Sequence, residues 1–270
     1  LLGSRVGRPV RIALMTDILA ARNRATLNQF ATANVLLAFD YDGTLAPIAP
    51  TPERAHLPAT TRRLLTTVAH YYPCVVISGR RLDDVVKRLE GIPIWYVFGN
   101  FGHEPAPHGH RPPASVGDWA RRLTERLPTH RGLVIEEKAY SVTIHYRHVS
   151  DKRRALAAIE DAVSDLPGAR PIGGTQALTI LPRGGPDKGV ALQQARRLFH
   201  CDRALYIGDD DTDEDAFRSA PAERLLSIRV GNPRTSAARF RLKRQADIDR
   251  LLRTLIAVRK TGADRGRRPR

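Results

Sequence analysis

The chain has 270 residues, of which 42% are hydrophobic, and this is enough apolar material for a core and too much for a disordered chain. An excess of 44 lysines and arginines over 28 aspartates and glutamates gives a net charge of +16, which would suit an acidic partner such as nucleic acid, anionic lipid or a phosphorylated metabolite. The arginines are widely spread, and no zinc-finger spacing, RNA-binding aromatic signature or basic region with heptads accompanies them, so a solvated arginine-rich surface is favoured and no nucleic-acid partner is expected.

The sequence indicates neither a membrane span nor an oxidising compartment. It contains no run of 18 apolar residues, and its first residues show no secretory signal. The two cysteines, Cys74 and Cys201, lie far apart and do not make a disulfide framework. We therefore expect a cytoplasmic protein with no membrane partner, and a monomer is favoured over an oligomer.

The predicted elements begin with one helix over residues 11–32, where apolar residues recur at helical spacing. Short apolar runs then alternate with helical segments, and this pattern favours an α/β fold with a doubly wound, mostly parallel sheet. The first strands are predicted at 35–39, 73–77 and 94–98, and the helices between them at 58–70 and 82–90.

The pattern changes beyond a loop at 105–113 that is rich in proline, glycine and histidine. The run at 141–146 alternates polar and apolar residues, as in an antiparallel strand with one solvated face. The elements predicted in this part are a helix at 116–127, strands at 133–135 and 141–146, a helix at 152–166, and strands near 169–172 and 176–181. They indicate a small α+β domain inserted into the sheet protein.

The first pattern returns after this insertion. The elements predicted there are a helix at 190–199, strands at 203–207 and 225–230, and a final helix at 245–258. The predicted division is an N-terminal helical extension at 1–32, a core in two parts at 33–107 and 184–260, the inserted α+β domain at 108–183, and a basic, disordered tail at 261–270.

Four polar clusters follow strand-like runs or stand at the return to the core. They are Asp40 with Asp42, the triplet Ser78-Gly79-Arg80, Lys188, and the carboxylates that include Asp209, Asp210 and Asp213. Ligands of open α/β sheets bind at the carboxyl ends of the strands, so we expect the four clusters to converge on one site.

Asp40 and Asp42 would repel each other at a strand end unless a cation lies between them. Gly43 permits an unusual turn, and Thr44 offers a hydroxyl and an amide to a phosphate. An ordinary turn also uses aspartate and glycine. The position directly after a buried strand nevertheless favours a ligand site.

Six carboxylates occur within the seven residues from Asp209 to Asp215. Helix starts favour carboxylates, which accounts for some of them, but three consecutive aspartates after a buried strand are unfavourable without a cation. Because carboxylates are present without a cluster of histidines and cysteines, the predicted metal is Mg²⁺ rather than zinc. Lys188 could neutralise a phosphate oxygen or Asp40, and Ser78 with Gly79 could donate hydrogen bonds to a phosphoryl group.

In this order the clusters resemble the haloacid dehalogenase-like (HAD) phosphatases over about residues 35–258, and within them the trehalose-6-phosphate phosphatases. The narrower resemblance rests on Ile77-Ser78-Gly79-Arg80, on the block from Gly208 to Glu214, and on Glu137-Lys138 followed by His145-Tyr146-Arg147. It implies a HAD-like core, with the inserted domain as a cap over the active site.

The resemblance also implies roles for the aspartates. Asp40 would attack phosphorus and form an aspartyl-phosphate, and Asp42 would protonate the leaving oxygen and then activate water. Asp40, the backbone carbonyl of Asp42, and Asp209 would hold Mg²⁺, while Asp210 and Asp213 would orient that site from close by.

The other implied roles concern the substrate. Ser78 and Lys188 would bind the phosphoryl group, whose charge needs electrostatic stabilisation. The remaining substrate-binding candidates are Gly79, Arg80, Glu104, Lys138, His145 and Arg147.

Two positions depart from the family pattern on the side of the sugar. Phe101 stands where the family motif Gly-x-His-Gly-x-Glu has histidine, and Thr179 stands where the family often carries glutamate. The leading hypothesis is Mg²⁺-dependent hydrolysis of a phosphorylated disaccharide, trehalose 6-phosphate, to trehalose and phosphate. The alternatives are a phosphatase of sucrose phosphate, mannosylphosphoglycerate or glucosylglycerol phosphate, and a non-catalytic regulatory or nucleic-acid-binding protein on the same scaffold.

Overall fold

The computed structural model describes residues 15–106, 112–127, 132–174, 176–233 and 235–266, with side chains up to residue 261. Within these residues the strands form one parallel sheet of seven and one antiparallel sheet of four. None of the helices described has the length and apolar character needed to cross a bilayer.

The strands are β1 (Thr16–Asp17), β2 (Val35–Phe39), β3 (Cys74–Ile77), β4 (Tyr96–Phe98), β5 (Val134–Lys138), β6 (Ser141–His145), β7 (Ala169–Gly174), β8 (Ala177–Pro182), β9 (Arg203–Gly208), β10 (Leu225–Val230) and β11 (Phe240–Leu242). The α-helices are α1 (Arg24–Thr32), α2 (Ala59–Ala69), α3 (Leu82–Arg88), α4 (Ala114–Arg126), α5 (Lys152–Ser164), α6 (Lys188–Leu198), α7 (Glu214–Arg218) and α8 (Ile248–Gly266). The parallel sheet has the order β1-β11-β10-β9-β2-β3-β4, and the antiparallel sheet has the order β5-β6-β8-β7.

The parallel sheet is covered on both faces, which is why its central strands are continuous apolar runs. Leu37 and Phe39 of β2 pack with α1, α2 and α8, whereas Leu36 and Ala38 pack with α6 and α7. All five residues of β2 are buried. The predicted doubly wound α/β core is therefore confirmed.

The antiparallel sheet is covered by helices on one face only. Its apolar residues Val142, Ile144, Leu178 and Ile180 pack under α4 and α5, where Trp119 is the largest buried side chain. The alternation seen in the sequence at 141–146 thus places one side of β6 in a small core of its own.

The opposite face of this sheet is polar and turns toward the parallel sheet. It carries Glu136 and Lys138 of β5, Thr143 of β6 and Thr179 of β8. The Nζ of Lys138 lies 3.5 Å from the carbonyl oxygen of Gly79, which follows β3. This polar face therefore covers the carboxyl edge of the parallel sheet.

Two predictions for the ends of the chain are wrong. The stretch predicted as one helix at 11–32 contains β1, which pairs with β11 at the sheet edge, before α1 begins at Arg24. This pairing is a tertiary contact that helical periodicity cannot reveal. The first part of the tail predicted to be disordered, 261–266, continues α8 through Gly266. Residues 11–14, 267–270 and the proposed core–insert boundary at 107–108 lie outside the described residues.

Candidate active site

The four sequence clusters meet at the carboxyl edge of the parallel sheet. Asp40 follows β2, Ser78 follows β3 and Asp209 follows β9, and these three strands are neighbours. Lys188, the first residue of α6, places its Nζ 2.7 Å from Oδ1 of Asp40 and 2.7 Å from Oδ1 of Asp213. The residues thus form one site, as the geometry of open α/β sheets predicts.

Lys188 is held at the start of α6 by the preceding residue. Oδ1 of Asp187 accepts hydrogen bonds from the backbone amides of Gly189 and Val190, both at 2.9 Å, and so caps the helix. Burial alone would lower the pKa of Lys188, but the carboxylates of Asp213 and Asp40 outweigh it and raise the pKa. The ammonium group is therefore kept charged inside the protein.

The carboxylates around Lys188 outnumber the positive charge available to them. One oxygen from each of Asp40, Asp209 and Asp213 lies within 4.8 Å of the others. Burial raises the pKa of Asp40 to about 8 in spite of Lys188. Burial also raises the pKa of Asp209 well above its ordinary value, and the charges of Asp40 and Asp213 add to the effect.

A hard divalent cation fits this set of oxygens. Oδ1 of Asp209 is buried and has no hydrogen-bond partner among the described residues, so it is available as a ligand. Carboxylate and carbonyl oxygens are the ligands that such cations prefer. A bound cation would stabilise the ionised forms of Asp40 and Asp209, which burial disfavours.

Asp213 is tied to its surroundings by both carboxylate oxygens. Oδ1 accepts hydrogen bonds from Lys188 and from the buried hydroxyl of Tyr206 at 2.6 Å, and Oδ2 accepts one from the amide of Asp210 at 2.9 Å. Asp210 in turn caps the turn that begins at Asp211. The two aspartates therefore order the loop after β9, and the helix-start interpretation of the acidic block holds for part of it.

Asp42 lies at the opening of the site and is paired with Arg80. The guanidinium donates from Nε to Oδ2 at 2.5 Å and from Nη2 to Oδ1 at 2.7 Å, a two-pronged ion pair. Nη1 of Arg80 also binds Asp84 at 2.7 Å, and the guanidinium lies over the ring of Tyr41. Arg80, a substrate-binding candidate, is thus within reach of the candidate acid–base residue.

Ser78 and Gly79 line the site beside Phe101. Ser78 is almost fully buried, and its Oγ accepts a hydrogen bond from the amide of Arg80 at 3.2 Å. A Cβ atom at Gly79 would stand 2.6 Å from the ring of Phe101, so only glycine fits there. The same ring lies 6.0 Å from Nζ of Lys188. Phe101, which replaces the family's histidine, therefore forms an apolar wall of the site.

The three cap candidates occupy different positions. Lys138 reaches over the site to Gly79. His145 pairs through Nε2 with Oε2 of Glu136 at 2.9 Å, and Nη1 of Arg147 donates to the carbonyl of Ala49 at 3.3 Å. Only Lys138 is therefore brought close to the phosphoryl-binding candidates.

Glu104 is used at a helix start. Its Oε2 accepts a hydrogen bond from the amide of Leu82, the first residue of α3, at 2.7 Å. The other departure from the family pattern, Thr179, faces Thr143 with 3.2 Å between their hydroxyl oxygens on the polar side of the cap sheet. A neutral pair of hydroxyls thus stands where a charged residue is frequent in the family.

Two polar residues of this region, Glu136 and Tyr206, were not among the predicted site residues. Glu136 lies on the same side of β5 as Lys138, with 3.5 Å between its Oε2 and the lysine Nζ, whereas Glu137 lies beside α4. The alternation of side chains along a strand would have selected Glu136. Tyr206 is a polar residue inside an apolar strand, and a buried phenol generally has a hydrogen-bond partner.

Comparison with known proteins gives a consistent result. A family model described as trehalose-phosphatase matches residues 38–245. The probable trehalose-phosphate phosphatase 3 of Oryza sativa subsp. japonica is 27% identical over 86% of this chain and 72% of that protein. The trehalose-phosphate phosphatase of Mycobacterium avium (strain 104) is 36% identical over 66% of this chain, but this match spans only 49% of that protein.

A solved structure agrees on the fold. The C-terminal domain of the trehalose-6-phosphate phosphatase of C. albicans superimposes with a TM-score of 0.70 over 91% of this chain and 99% of that chain, at 21% identity. This likeness bears on the fold alone, and the family model provides the closer assignment. Because that model matches most of the sequence, the chain belongs to the trehalose-phosphatase family of phosphoric monoester hydrolases.

Proposed function

We propose that this protein is a Mg²⁺-dependent phosphatase that hydrolyses trehalose 6-phosphate to trehalose and phosphate through an aspartyl-phosphate on Asp40. The observation that carries the proposal is the position of Asp40. It stands at the end of a central parallel strand, 2.7 Å from a buried lysine and beside Asp209, whose Oδ1 is buried. A nucleophile, a cationic phosphate ligand and cation-binding oxygens are thus in one place.

Asp40, the backbone carbonyl of Asp42, and Asp209 are the groups that would hold Mg²⁺. When bound, the ion supplies positive charge to the phosphoryl oxygens and keeps Asp40 ionised. Asp213 is assigned a supporting part, because both of its oxygens already accept hydrogen bonds. Lys188 provides a second positive charge beside Asp40.

The reaction proceeds in two displacements. A carboxylate oxygen of Asp40 attacks phosphorus, the ester bond to the sugar oxygen breaks, and the carboxylic acid of Asp42 gives its proton to that oxygen. Water then attacks phosphorus, Asp42 takes a proton from the water, and the bond between Asp40 and phosphorus breaks. Phosphate then leaves, and Asp40 is again a carboxylate and Asp42 again a carboxylic acid.

Arg80 is assigned two successive partners. Its planar fork binds Asp42 in the structure, and guanidinium binds phosphate oxygens in the same two-pronged manner. A bound phosphate dianion would draw Arg80 from Asp42 and so leave the carboxyl group of Asp42 free to face the leaving oxygen. Asp84 remains bonded to Nη1 and limits how far Arg80 moves.

The sugar is assigned to the polar face of the cap sheet. Glu136, Lys138 and His145 form a hydrogen-bonded cluster there, and Lys138 bridges toward Gly79. Donors and acceptors at this position suit the many hydroxyl groups of a disaccharide. We propose that this cluster and the hydroxyls of Thr143 and Thr179 select the sugar.

Phosphate release is the direct test. The purified protein with Mg²⁺ should release phosphate from trehalose 6-phosphate, and chelation with EDTA should stop the release. Asp40→Asn should lower the rate by at least roughly 10³-fold, as loss of a nucleophile does. Asp83→Asn is the matched control, because this aspartate is 68% exposed and its ion pair is with an exposed arginine, Arg81.

The same assay separates the alternatives. Glucose 6-phosphate, sucrose 6-phosphate, mannosylphosphoglycerate and glucosylglycerol phosphate should be cleaved with lower kcat/KM than trehalose 6-phosphate. Equal cleavage of several of these would overturn the substrate assignment and leave the phosphatase chemistry standing. A folded protein that releases no phosphate from any of them, but binds DNA or RNA in a salt-sensitive manner, would overturn the enzyme assignment.

A further inference from the structure

A buried arginine stands directly behind the loop that carries Asp209. Arg229 is the fifth residue of β10 and only 5% exposed, and it pairs in register with Gly208, the residue before Asp209. Buried arginines are rare unless they are paired. The position of this one makes its contacts with the loop informative.

The guanidinium of Arg229 binds the loop at three points. Nη1 donates to the backbone carbonyl of Asp210 at 2.8 Å and to Oε1 of Glu214 at 2.9 Å. Nη2 donates to Oδ1 of Asp211 at 3.2 Å. One planar group therefore joins the peptide between Asp210 and Asp211 to the start of α7.

Glu214, the main carboxylate partner, is itself held in place. Its Oε1 accepts a hydrogen bond from Oγ of Ser236 at 2.5 Å, and its Oε2 accepts one from the amide of Ala237 at 2.7 Å. Arg218 adds a contact at 3.1 Å from the solvent side. Arg229 consequently connects the loop to a fixed point rather than to a mobile side chain.

A buried ion pair is a weak source of stability, because desolvation of the charges offsets most of their attraction. The arrangement is better explained by the geometry that it imposes. The Asp210 carbonyl that Arg229 binds lies one residue beyond Asp209, whose Oδ1 faces the cation site without a partner among the described residues. A shift of this peptide would move Asp209 away from Asp40.

We propose that Arg229 is a positioning residue for the metal site: by bonding the Asp210 carbonyl, it fixes the loop so that Asp209 presents its carboxylate beside Asp40. This inference rests on the proposed function, in which Asp209 binds Mg²⁺. Groups that orient metal ligands from behind typically change metal affinity by about 10- to 100-fold when they are removed.

The test measures Mg²⁺ binding directly, by isothermal titration calorimetry on the full chain without substrate. Arg229→Met, which keeps much of the side-chain volume and removes the donors, should weaken Mg²⁺ binding by about 10- to 100-fold. Arg229→Lys keeps the charge but cannot form three directed bonds, and it should lie between wild type and Arg229→Met. With Mg²⁺ saturating, the KM for trehalose 6-phosphate should change less than threefold or so, because no sugar or phosphate contact is removed.

Arg218→Met is the matched control. It removes a second arginine that binds Glu214, from a side chain that is 61% exposed, and leaves the bond to the Asp210 carbonyl intact. It should bind Mg²⁺ as wild type does. Equal weakening in Arg218→Met and Arg229→Met would show a general effect of Glu214 and overturn the proposal.

Two further outcomes keep the inference separate from the proposed function. If Arg229→Met folds and binds Mg²⁺ as tightly as wild type, the inference is overturned. Loss of Mg²⁺ binding in Asp209→Asn would still support the metal site in that case. If wild type itself binds no Mg²⁺, the proposed function fails first. Should Arg229→Met not fold, Arg229→Lys carries the test, and wild-type Mg²⁺ affinity in that variant overturns the inference.

Discussion

Asp40 is buried, whereas the nucleophilic role proposed for it requires its charge. Burial raises its pKa from 3.8 to about 8 when no cation is bound. Between these values the folded protein holds a proton that the unfolded chain has released, so the free energy of unfolding falls as pH rises through this window. A bound divalent cation would reverse the effect by stabilising the carboxylate.

We predict that this pH dependence disappears in Asp40→Asn, whose amide does not titrate. In EDTA, the stability of wild type relative to Asp40→Asn should decrease from the acid end to the alkaline end of the window, as measured by urea denaturation at several pH values. Added Mg²⁺ should stabilise wild type more at the alkaline end. Parallel pH curves for the two proteins would contradict the raised pKa.

At the residue scale, the sequence predicted positions better than partners. Asp40, Asp42 and Asp209 could be singled out because each follows a recognisable apolar strand, and Lys188 because it stands at the return to the core, next to a predicted helix. The bond of Glu104 to the amide of Leu82 joins residues 22 apart in sequence. Such a contact depends on how a turn folds back on a helix start, which local pattern does not contain.

At the scale of single elements, β5 separates two neighbouring glutamates. Glu136 and Lys138 lie on the polar face, which turns toward the parallel sheet, whereas Glu137 lies on the α4 side, beside Gly117. A strand places alternate residues on opposite faces, so these neighbours cannot share a function. The resemblance to the family rests in part on Glu137, but it is Glu136 that lies beside Lys138 on the face turned toward the parallel sheet.

We predict that Lys138→Ala and Glu136→Gln raise the KM for trehalose 6-phosphate roughly tenfold, the effect of losing a hydrogen bond to a charged group. Cleavage of p-nitrophenyl phosphate, which has no sugar, should change little. Glu137→Gln is the control with the same chemical change on the other face, and its KM should equal that of wild type. Equal losses on both substrates would place Lys138 in the phosphoryl chemistry instead.

The elements that the sequence did not predict are short or lie at the edge of the sheet. β1 has two residues and β11 has three, and each is defined by pairing with strands distant in sequence. The central strands were predictable because burial on both faces leaves a continuous apolar run. β1 (Thr-Asp) and β11 (Phe-Arg-Leu) are too short and too polar to form such a run.

At the scale of the whole molecule, cationic side chains join the cap to the core. Arg170 of β7 binds Asp215 at the start of α7 at 2.5 Å and Asp187 at 3.3 Å. Asp187 also caps α6, whose first residue is Lys188. One contact between the cap and the core thus involves the residue that caps α6, the helix that begins with Lys188.

We predict that Arg170→Gln weakens cap closure. The pair is partly exposed, with 34% of the arginine side chain accessible, so its contribution is about 0.5–1 kcal/mol, and the KM for trehalose 6-phosphate should rise roughly two- to fivefold. Because salt screens such pairs, the KM of wild type should rise with ionic strength more steeply than that of Arg170→Gln. Steady-state kinetics at low and high salt measure both effects.

Salt also weakens the binding of an anionic substrate directly, so the control variant must lose one arginine without losing an ion pair between cap and core. Arg126 binds two carboxylates as Arg170 does, Asp165 at 2.5 Å and Asp161 at 3.4 Å, but all three residues belong to the cap helices or their ends. Arg126→Gln should therefore keep the KM and the salt dependence of wild type. If both variants behave alike, net charge accounts for the change; if only Arg170→Gln loses salt sensitivity, the ion pairs between cap and core account for it.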